Sequence, residues 1–340
     1  INSLRSSNIS FIEKGGVQAN PTLSFCRKII ASLNDQDFDF ILAVGGGSVI
    51  DTAKMIGNSI ASNLDPWEIL YDGKAVTAGI PLGVVLTISA SGSETSNNAV
   101  LTNEEMGFKA GCTSEFNRPL FSIMNPELTY TLSKYQIACG VVDIMMHTME
   151  RYIALNDGDN DLTDRVAEGL LKAVIRAGKA VMRNPKDYDA QATLMLAGSW
   201  SHNGLMGAGR SFVMAAHTIE HALSGLDSNI AHGAGLAIIW PAYLKYIYRY
   251  DIPRFVQYAV RIWNCEEDYI HPERTVLEGI KATEEYFSFL GMPLRLHDVG
   301  LTEGNIEELT EKSINYGKRT LDTLISLGKD EITEIYRLCL

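Results

Sequence analysis

Phe38-Asp39-Phe40-Ile41-Leu42-Ala43-Val44, running into Gly45-Gly46-Gly47-Ser48, decides the fold class. The first seven positions are rich in aromatic and branched residues and read as a strand. Three glycines break it, and a helix follows from Ser48 with Val49, Ala53, Met55 and Ile56 as its apolar positions. Gly83-Val84-Val85-Leu86-Thr87-Ile88 reads as a second, buried strand and Leu120-Phe121-Ser122-Ile123-Met124 as a third. Strand, loop, helix and strand in this order predict a parallel, doubly wound α/β unit.

The glycine turn is predicted to adopt positive φ and to let a ligand approach the backbone. The helix behind it offers free N–H groups and a positive dipole end, which suit a phosphate. Ser48 and Asp51 have the spacing of a capping box that would set the helix start. A plain strand-to-helix turn looks the same locally, and the usual GxGxxG fingerprint is absent. A second small-residue loop, Ser89-Ala90-Ser91-Gly92-Ser93-Glu94-Thr95, follows the next strand. Two such loops after strands of one sheet lie where a doubly wound fold places its ligand crevice.

Beyond about Leu132 the strand signals stop. Residues 161–182 carry Val166, Leu170, Val174 and Ala177 at helical spacing, with Asp161 or Thr163 as cap. Residues 191–205, 211–223, 236–248, 275–290 and 330–338 also read as helices. The predicted organisation is therefore an α/β N-terminal Rossmann-like domain with a parallel sheet over 1–134 and an all-α C-terminal domain over 135–340. No Pro/Gly-rich linker separates them, which predicts tight packing around a cleft.

The chain has 340 residues and a formal net charge of −12. A sequence of this length buries a sizeable core without disulfides or metals to staple it. The acidic balance argues against non-specific nucleic-acid or anionic-lipid binding. The 5 cysteines are odd in number, widely spaced and free of CxxC, which suggests structural thiols and a cytoplasmic setting. There is no visible signal peptide, and no apolar run approaches a membrane span of ~18 residues.

Asp143-Ile144-Met145-Met146-His147 puts a carboxylate and an imidazole four apart on one helix face, and His217-Thr218-Ile219-Glu220-His221 does the same with two imidazoles. His232 follows after a short loop. One histidine on an apolar helix is usually a satisfied core residue, but four of the chain's 7 histidines fall in these places. Asp143, His147, His217 and His232 could give one oxygen and three nitrogens to a divalent metal. That donor set suits Zn²⁺ or Fe²⁺ better than Ca²⁺ or Mg²⁺. His221 would then be free for proton transfer beside the metal. HExxH is not present, nor is a Gly-x-Ser-x-Gly elbow. His202, His271 and His297 read as surface or packing residues.

Together the two sites resemble the iron-containing, or group III, alcohol dehydrogenases. Gly45-Gly46-Gly47-Ser48-x-x-Asp51-x-x-Lys54 is similar to the nucleotide-loop motif of that family. Asp143-x-x-x-His147, His217-x-x-x-His221 and His232-Gly233 are similar to its metal set in the usual order. Asp65-Pro66-Trp67-Glu68-Ile69-Leu70, Tyr130-Thr131-Leu132 and the segment from Gly140 to Glu150 resemble the butanol dehydrogenase and NADPH-dependent aldehyde reductase branch. The resemblance runs from about Ile9 onward. It implies a Rossmann-like domain, a helical domain and a metal in the cleft, with Asp143, His147, His217 and His232 as ligands. It implies dinucleotide contacts at Gly46, Gly47 and Ser48, with Asp51, Thr87, Ser89 and Lys109 at other positions lining the cofactor. The family's first strand, its Gly/Ser loop and the next helix would precede Ile9 and are not in this stretch; that region helps hold the adenosine and choose between NAD and NADP. Ser91 stands where relatives usually carry Thr, and the loop between His221 and His232 is one residue longer.

The function expected from the resemblance is a metal-dependent alcohol dehydrogenase or aldehyde reductase working on a primary alcohol or aldehyde such as butanol or butyraldehyde. Fe²⁺ or Zn²⁺ and NADP(H) in preference to NAD(H) are the implied cofactors, and a homodimer the implied assembly. The metal would polarise the substrate oxygen, and His221 would relay the alcohol proton. A dehydroquinate synthase-like lyase is the alternative within the superfamily, but its basic phosphate-binding cluster is not seen near the metal set. A non-catalytic nucleotide- or metal-binding chain is the other alternative.

Overall fold

The structure is a computed structural model that describes residues 1–33, 36, 38–154 and 160–340. The chain runs through α1 (Asn2–Ser6), α2 (Leu23–Ala31), β1 (Ile41–Gly45), α3 (Gly47–Ser62), α4 (Pro66–Leu70), β2 (Leu82–Leu86), β3 (Asn98–Asn103), β4 (Phe108–Thr113) and β5 (Phe121–Ile123). β1, β2 and β5 form a parallel sheet in the order β1-β2-β5, with Ile41 opposite Leu82 and Gly83 opposite Phe121. β1 alternates: Ala43 and Gly45 are buried, whereas Val44 on the other face is 57% exposed. The parallel α/β unit expected from the sequence is present.

An antiparallel hairpin, β3–β4, was not legible in the sequence. Its strands pair from Asn98↔Thr113 to Asn103↔Phe108. Gly107 supplies the left-handed φ of +55° that lets the chain reverse after Asn103. The hairpin leans on α3, where Val100 N–H donates to Oδ2 of Asp51 at 3.1 Å.

The remainder comprises α5 (Lys134–Tyr152), α6 (Asp161–Arg183), α7 (Tyr188–His202), α8 (Ala215–Leu226), α9 (His232–Ile247), α10 (Ile252–Trp263), α11 (Pro272–Phe289), α12 (Ile306–Ser313), β6 (Leu321–Asp322), β7 (Ser326–Leu327) and α13 (Lys329–Arg337). This part is helical but not all-α, because β6 and β7 pair antiparallel. α6 is capped by neither Asp161 nor Thr163. Its N-cap position is Asn160, while Asp161 takes Arg165 at 3.0 Å and the Thr163 hydroxyl donates to Ala208 O at 3.2 Å.

α5 starts at a capping box between Ser133 and Gln136 and is buried along all of its last thirteen residues. Around it lies the largest core, in which Trp240, Tyr152, Tyr258, Phe255, Phe287 and Tyr336 are fully buried. Apolar burial at about 25 cal/mol per Å² makes such a layer the main source of stability. Met195 of α7 packs with Ala43, Ile50, Val84 and Leu86, so the helical layer is keyed directly to the sheet.

Candidate functional site

The glycine turn closes β1 and opens α3. Gly46 is the N-cap of α3 with φ −94° and ψ −169°, and none of Gly45, Gly46 and Gly47 is left-handed. The predicted positive φ is therefore corrected: glycine is needed here for space. A Cβ on Gly46 would run into Cγ2 of Ile88, and one on Gly47 into Oγ of Ser91. The predicted capping box is corrected too. The helix starts at Gly47, and no side chain caps it. The leading N–H groups at Gly47 and Ser48 have no intrahelical acceptor, which keeps an anion cradle at this end.

Asp51 and Lys54, one turn on, point into the second loop. Ser93 Oγ donates to Asp51 Oδ1 at 2.5 Å. Lys54 Nζ donates to the carbonyls of Ser93 and Asn98 at 2.8 Å each and of Ser96 at 3.1 Å. Burial brings the Lys54 ammonium down to about 8, against the pull of Asp51 and Glu94. These residues tie the second loop to α3. Thr87 N–H donates to Gly45 O at 3.1 Å, joining the ends of β1 and β2. Ser89 Oγ is buried without a partner among the described residues. The left-handed glycine of the region is Gly92, φ +66°, in the second loop. Ser89 O also touches Gly140 so closely that any Cβ there would collide. The second loop thus rests on α5 three residues before Asp143.

Asp143 Oδ1 is the focus of three imidazoles. His217 Nε2 lies 3.6 Å from it, and His147 Nδ1 and His232 Nε2 lie 3.7 Å from it. These gaps are too long for hydrogen bonds. Ligand bonds of about 2.1 Å to a tetrahedral metal would set the donors about 3.4 Å apart, close to what is seen. Asp143 Oδ1, His147 Nδ1 and His217 Nε2 are all buried and lack any hydrogen-bond partner among the described residues. Orphaned buried polar atoms cost of the order of 1–3 kcal/mol each. Three of them facing one another fit a cation, and the donor set of one carboxylate and three imidazoles fits Zn²⁺ or Fe²⁺.

Two buried carboxylates stand behind this cluster. Glu150 Oε2 pairs with His217 Nδ1, and Glu220 Oε2 pairs with His232 Nδ1. Each pairing fixes the ring and turns Nε2 toward Asp143, as carboxylates behind metal-binding histidines do. Burial opposes charge on His217, but Glu150 and Asp143 hold its imidazolium up to about 9. Burial, then His202 and His217, pushes His147 well below the usual imidazole range.

His221 lies beside this set, its ring centroid 5.3 Å from that of His232. Burial, followed by Lys109, lowers its pKa well below the usual range, so its imidazole is neutral near pH 7. Lys109 crosses from β4 to α8 and donates to Ser224 Oγ at 3.3 Å and Asn20 Oδ1 at 3.2 Å. The site is therefore built by α3, the two loops, α5, α8 and the start of α9.

Sequence reasoning missed three contributors. Glu150 and Glu220 follow His147 and His217 by three residues, which places each on the face of its helix that carries a candidate ligand, although each pairs with a histidine of another helix. That spacing was the available signal. Of the two roles read for His202, surface or packing, the structure shows packing: the half-buried residue ends α7 with its ring centroid 4.0 Å from that of His147. Nothing local to it reveals this, because α7 and α5 meet only in the fold. His271 and His297 lie away from the cluster, His271 at the N-cap of α11 and His297 beside Asp298. All five cysteines are free.

Comparison with known proteins bears on this geometry. The family described as iron-containing alcohol dehydrogenase matches residues 1–126, and the C-terminal part of the Fe-containing alcohol dehydrogenase family matches residues 137–340. The chain is 35% identical to NADH-dependent butanol dehydrogenase A of Clostridium acetobutylicum over 98% of its own length and 85% of that protein. It is 35% identical to the NADPH-dependent aldehyde reductase YqhD of Escherichia coli, over 96% of this chain and 84% of that one. The solved structure of NADH-dependent butanol dehydrogenase A from Thermotoga maritima superposes with a TM-score of 0.93 at 33% identity, covering 99% of this chain and 85% of that one. With these likenesses spanning both halves, the chain belongs to the iron-containing alcohol dehydrogenase family.

Proposed function

We propose that the protein is an NAD(P)-dependent alcohol dehydrogenase or aldehyde reductase acting on a primary alcohol or aldehyde such as butanol or butyraldehyde. The observation that carries this reading is the convergence of His147, His217 and His232 on Asp143 Oδ1, with three inward atoms orphaned and two carboxylates behind them. In this reading Asp143, His147, His217 and His232 hold Fe²⁺ or Zn²⁺. The turn at Gly46, Gly47 and Ser48 receives the pyrophosphate, and Thr87, Ser89, Asp51 and Lys109 shape or support the coenzyme cleft. When bound, the metal supplies Lewis acidity at the substrate oxygen and the nicotinamide supplies or accepts hydride.

The chain's own residues do the rest. Glu150 and Glu220 hold two of the rings, so the donors are preorganised. His221, neutral at working pH, takes the alcohol proton at an imidazole nitrogen or returns it to the carbonyl oxygen in reduction. The contact between Ser89 O and Gly140 keeps the coenzyme loop against the helix that carries Asp143 and His147. That closeness lets two reactants meet at one point without a search.

NADP(H) is the coenzyme we propose first, from the likeness to the aldehyde reductase; the butanol dehydrogenases make NAD(H) the rival. A cytoplasmic homodimer completes the reading. Five free cysteines support the reducing location, and no helix among the described residues is long and apolar enough to cross a membrane.

The test uses metal-stripped protein refilled with Zn²⁺ or Fe²⁺, with butyraldehyde and either NADPH or NADH. Metal-dependent oxidation of the coenzyme is expected. Tight metal binding without turnover on either coenzyme would overturn the reaction while leaving the metal site.

A further inference from the structure

Two of the three imidazoles around Asp143 are oriented by glutamates, but the third is not. His217 and His232 each have a carboxylate on Nδ1. The His147 ring makes no hydrogen bond among the described residues, and its inward Nδ1 is an orphan. A free imidazole can rotate about its side-chain torsions, and a misaimed ring is a poorer ligand. Something else must hold it.

Two other rings do. His217 stacks on one side, centroids 4.6 Å apart and planes 23° from parallel. His202 meets His147 edge-on, at 4.0 Å and 69°. Edge-to-face contact is a favoured arrangement for rings of this kind, and it fixes an angle as stacking alone does not. His202 is itself immobilised. Its Nε2 hydrogen-bonds Asn98 Nδ2 at 2.8 Å, and the same amide accepts from Thr113 Oγ1 at 2.5 Å. Its Cβ lies 2.8 Å from where a side chain on Gly92 would begin, so the left-handed turn of the second loop closes against it.

We propose that His202 is a positioning residue of the metal centre: it clamps the His147 ring, doing by ring contact what Glu150 and Glu220 do by hydrogen bonds for the other two histidines. The inference rests on the metal-centre reading above. It ties that centre to the hairpin through Asn98 and to the coenzyme loop through Gly92.

The experiment measures affinity for Zn²⁺ alone by chelator competition, and the visible absorption spectrum of the Co²⁺-loaded protein, for the parent, His202→Ala, His202→Phe and Asn98→Ala. His202→Ala should weaken metal binding by about 10- to 100-fold, the range for losing an orienting contact, and should shift the Co²⁺ bands. His202→Phe should restore most of the affinity, because the ring edge returns without the nitrogens. Asn98→Ala should weaken binding in the same direction by less, since it frees the clamp but leaves it in place; it is also the variant to rely on if His202→Ala does not fold. Parent-like affinity and spectrum in folded His202→Ala would overturn the proposal. Equal losses in His202→Ala and His202→Phe would also overturn it, by making a nitrogen rather than the ring contact responsible. A parent that fails to bind Zn²⁺ would instead overturn the metal-centre reading itself.

Discussion

Glu150 holds both the His217 ring and the start of the helix that carries it. Its Oε2 pairs with the Nδ1 of that ring, and its Oε1 accepts the N–H of Ala216 at 2.6 Å. One side chain from α5 therefore aims an imidazole proposed as a metal ligand and caps α8, whose own N-cap residue, Met214, offers no side-chain acceptor. Glu150→Gln keeps the shape and removes the charge. Metal affinity should fall by about 10- to 100-fold, and stability by roughly 1 kcal/mol from the weakened cap. Chelator competition and urea unfolding read the two effects separately; unchanged metal affinity would mean that the pairing does not tune the site.

His221 lies beside His232 and hydrogen-bonds no carboxylate among the described residues. His221→Ala should leave metal content intact while lowering kcat by about 10²-fold, the scale of a lost proton relay. The loss should shrink at high pH, where solvent takes the alcohol proton. Metal analysis with kcat measured across pH 6 to 10 checks this, and parent-like turnover at every pH would remove His221 from the proton path.

Gly46 is constrained by space. The backbone there is extended, so Gly46→Ala costs nothing in φ, but the new methyl meets Cγ2 of Ile88. Overpacking of this kind costs about 1–3 kcal/mol. Gly46→Ala should weaken coenzyme binding and lower Tm, and adding Ile88→Ala should recover a large part of both. A double variant as poor as the single one would show that the turn needs glycine for a reason other than this contact. Coenzyme titration by fluorescence and thermal melts give the readout.

Lys54 carries a pH signature. Burial sets its ammonium to about 8 from an ordinary value of 10.5. Between those values the unfolded chain holds a proton that the folded chain has released, so stability rises with pH across the window. Relative to Lys54→Met, the parent should gain about 3 kcal/mol between pH 7.5 and 10.5. Urea melts of both proteins at the two pH values test it, and parallel behaviour would return Lys54 to an ordinary lysine.

Much of this site was legible in the chain. The strand Ile41–Gly45, its glycines and the following helix appear where the apolar run and the breaks placed them. The four-residue spacings of Asp143 with His147 and of His217 with His221 already put pairs on common helix faces. Two details failed. The box expected from Ser48 and Asp51 did not form because Asp51 found Ser93 and Val100, partners from other elements. The hairpin β3–β4 was hidden because its turn, Glu104-Glu105-Met106-Gly107, lacks the Asn-Gly or Asp-Gly pair that announces a tight reversal.

What the sequence determined by itself were the properties set by periodicity and residue chemistry: a parallel α/β unit, a helical partner layer and a metal-type donor set. The tertiary structure decided which donors meet. Asp143 and His232 are far apart in the chain, yet Oδ1 and Nε2 stand 3.7 Å apart. Glu150 of α5 reaches His217 of α8, and His202 at the end of α7 reaches His147 of α5. Those relations depend on how α5, α7, α8 and α9 cross in a close-packed core, where a side chain's neighbours are set by the packing of whole helices rather than by its own residue type.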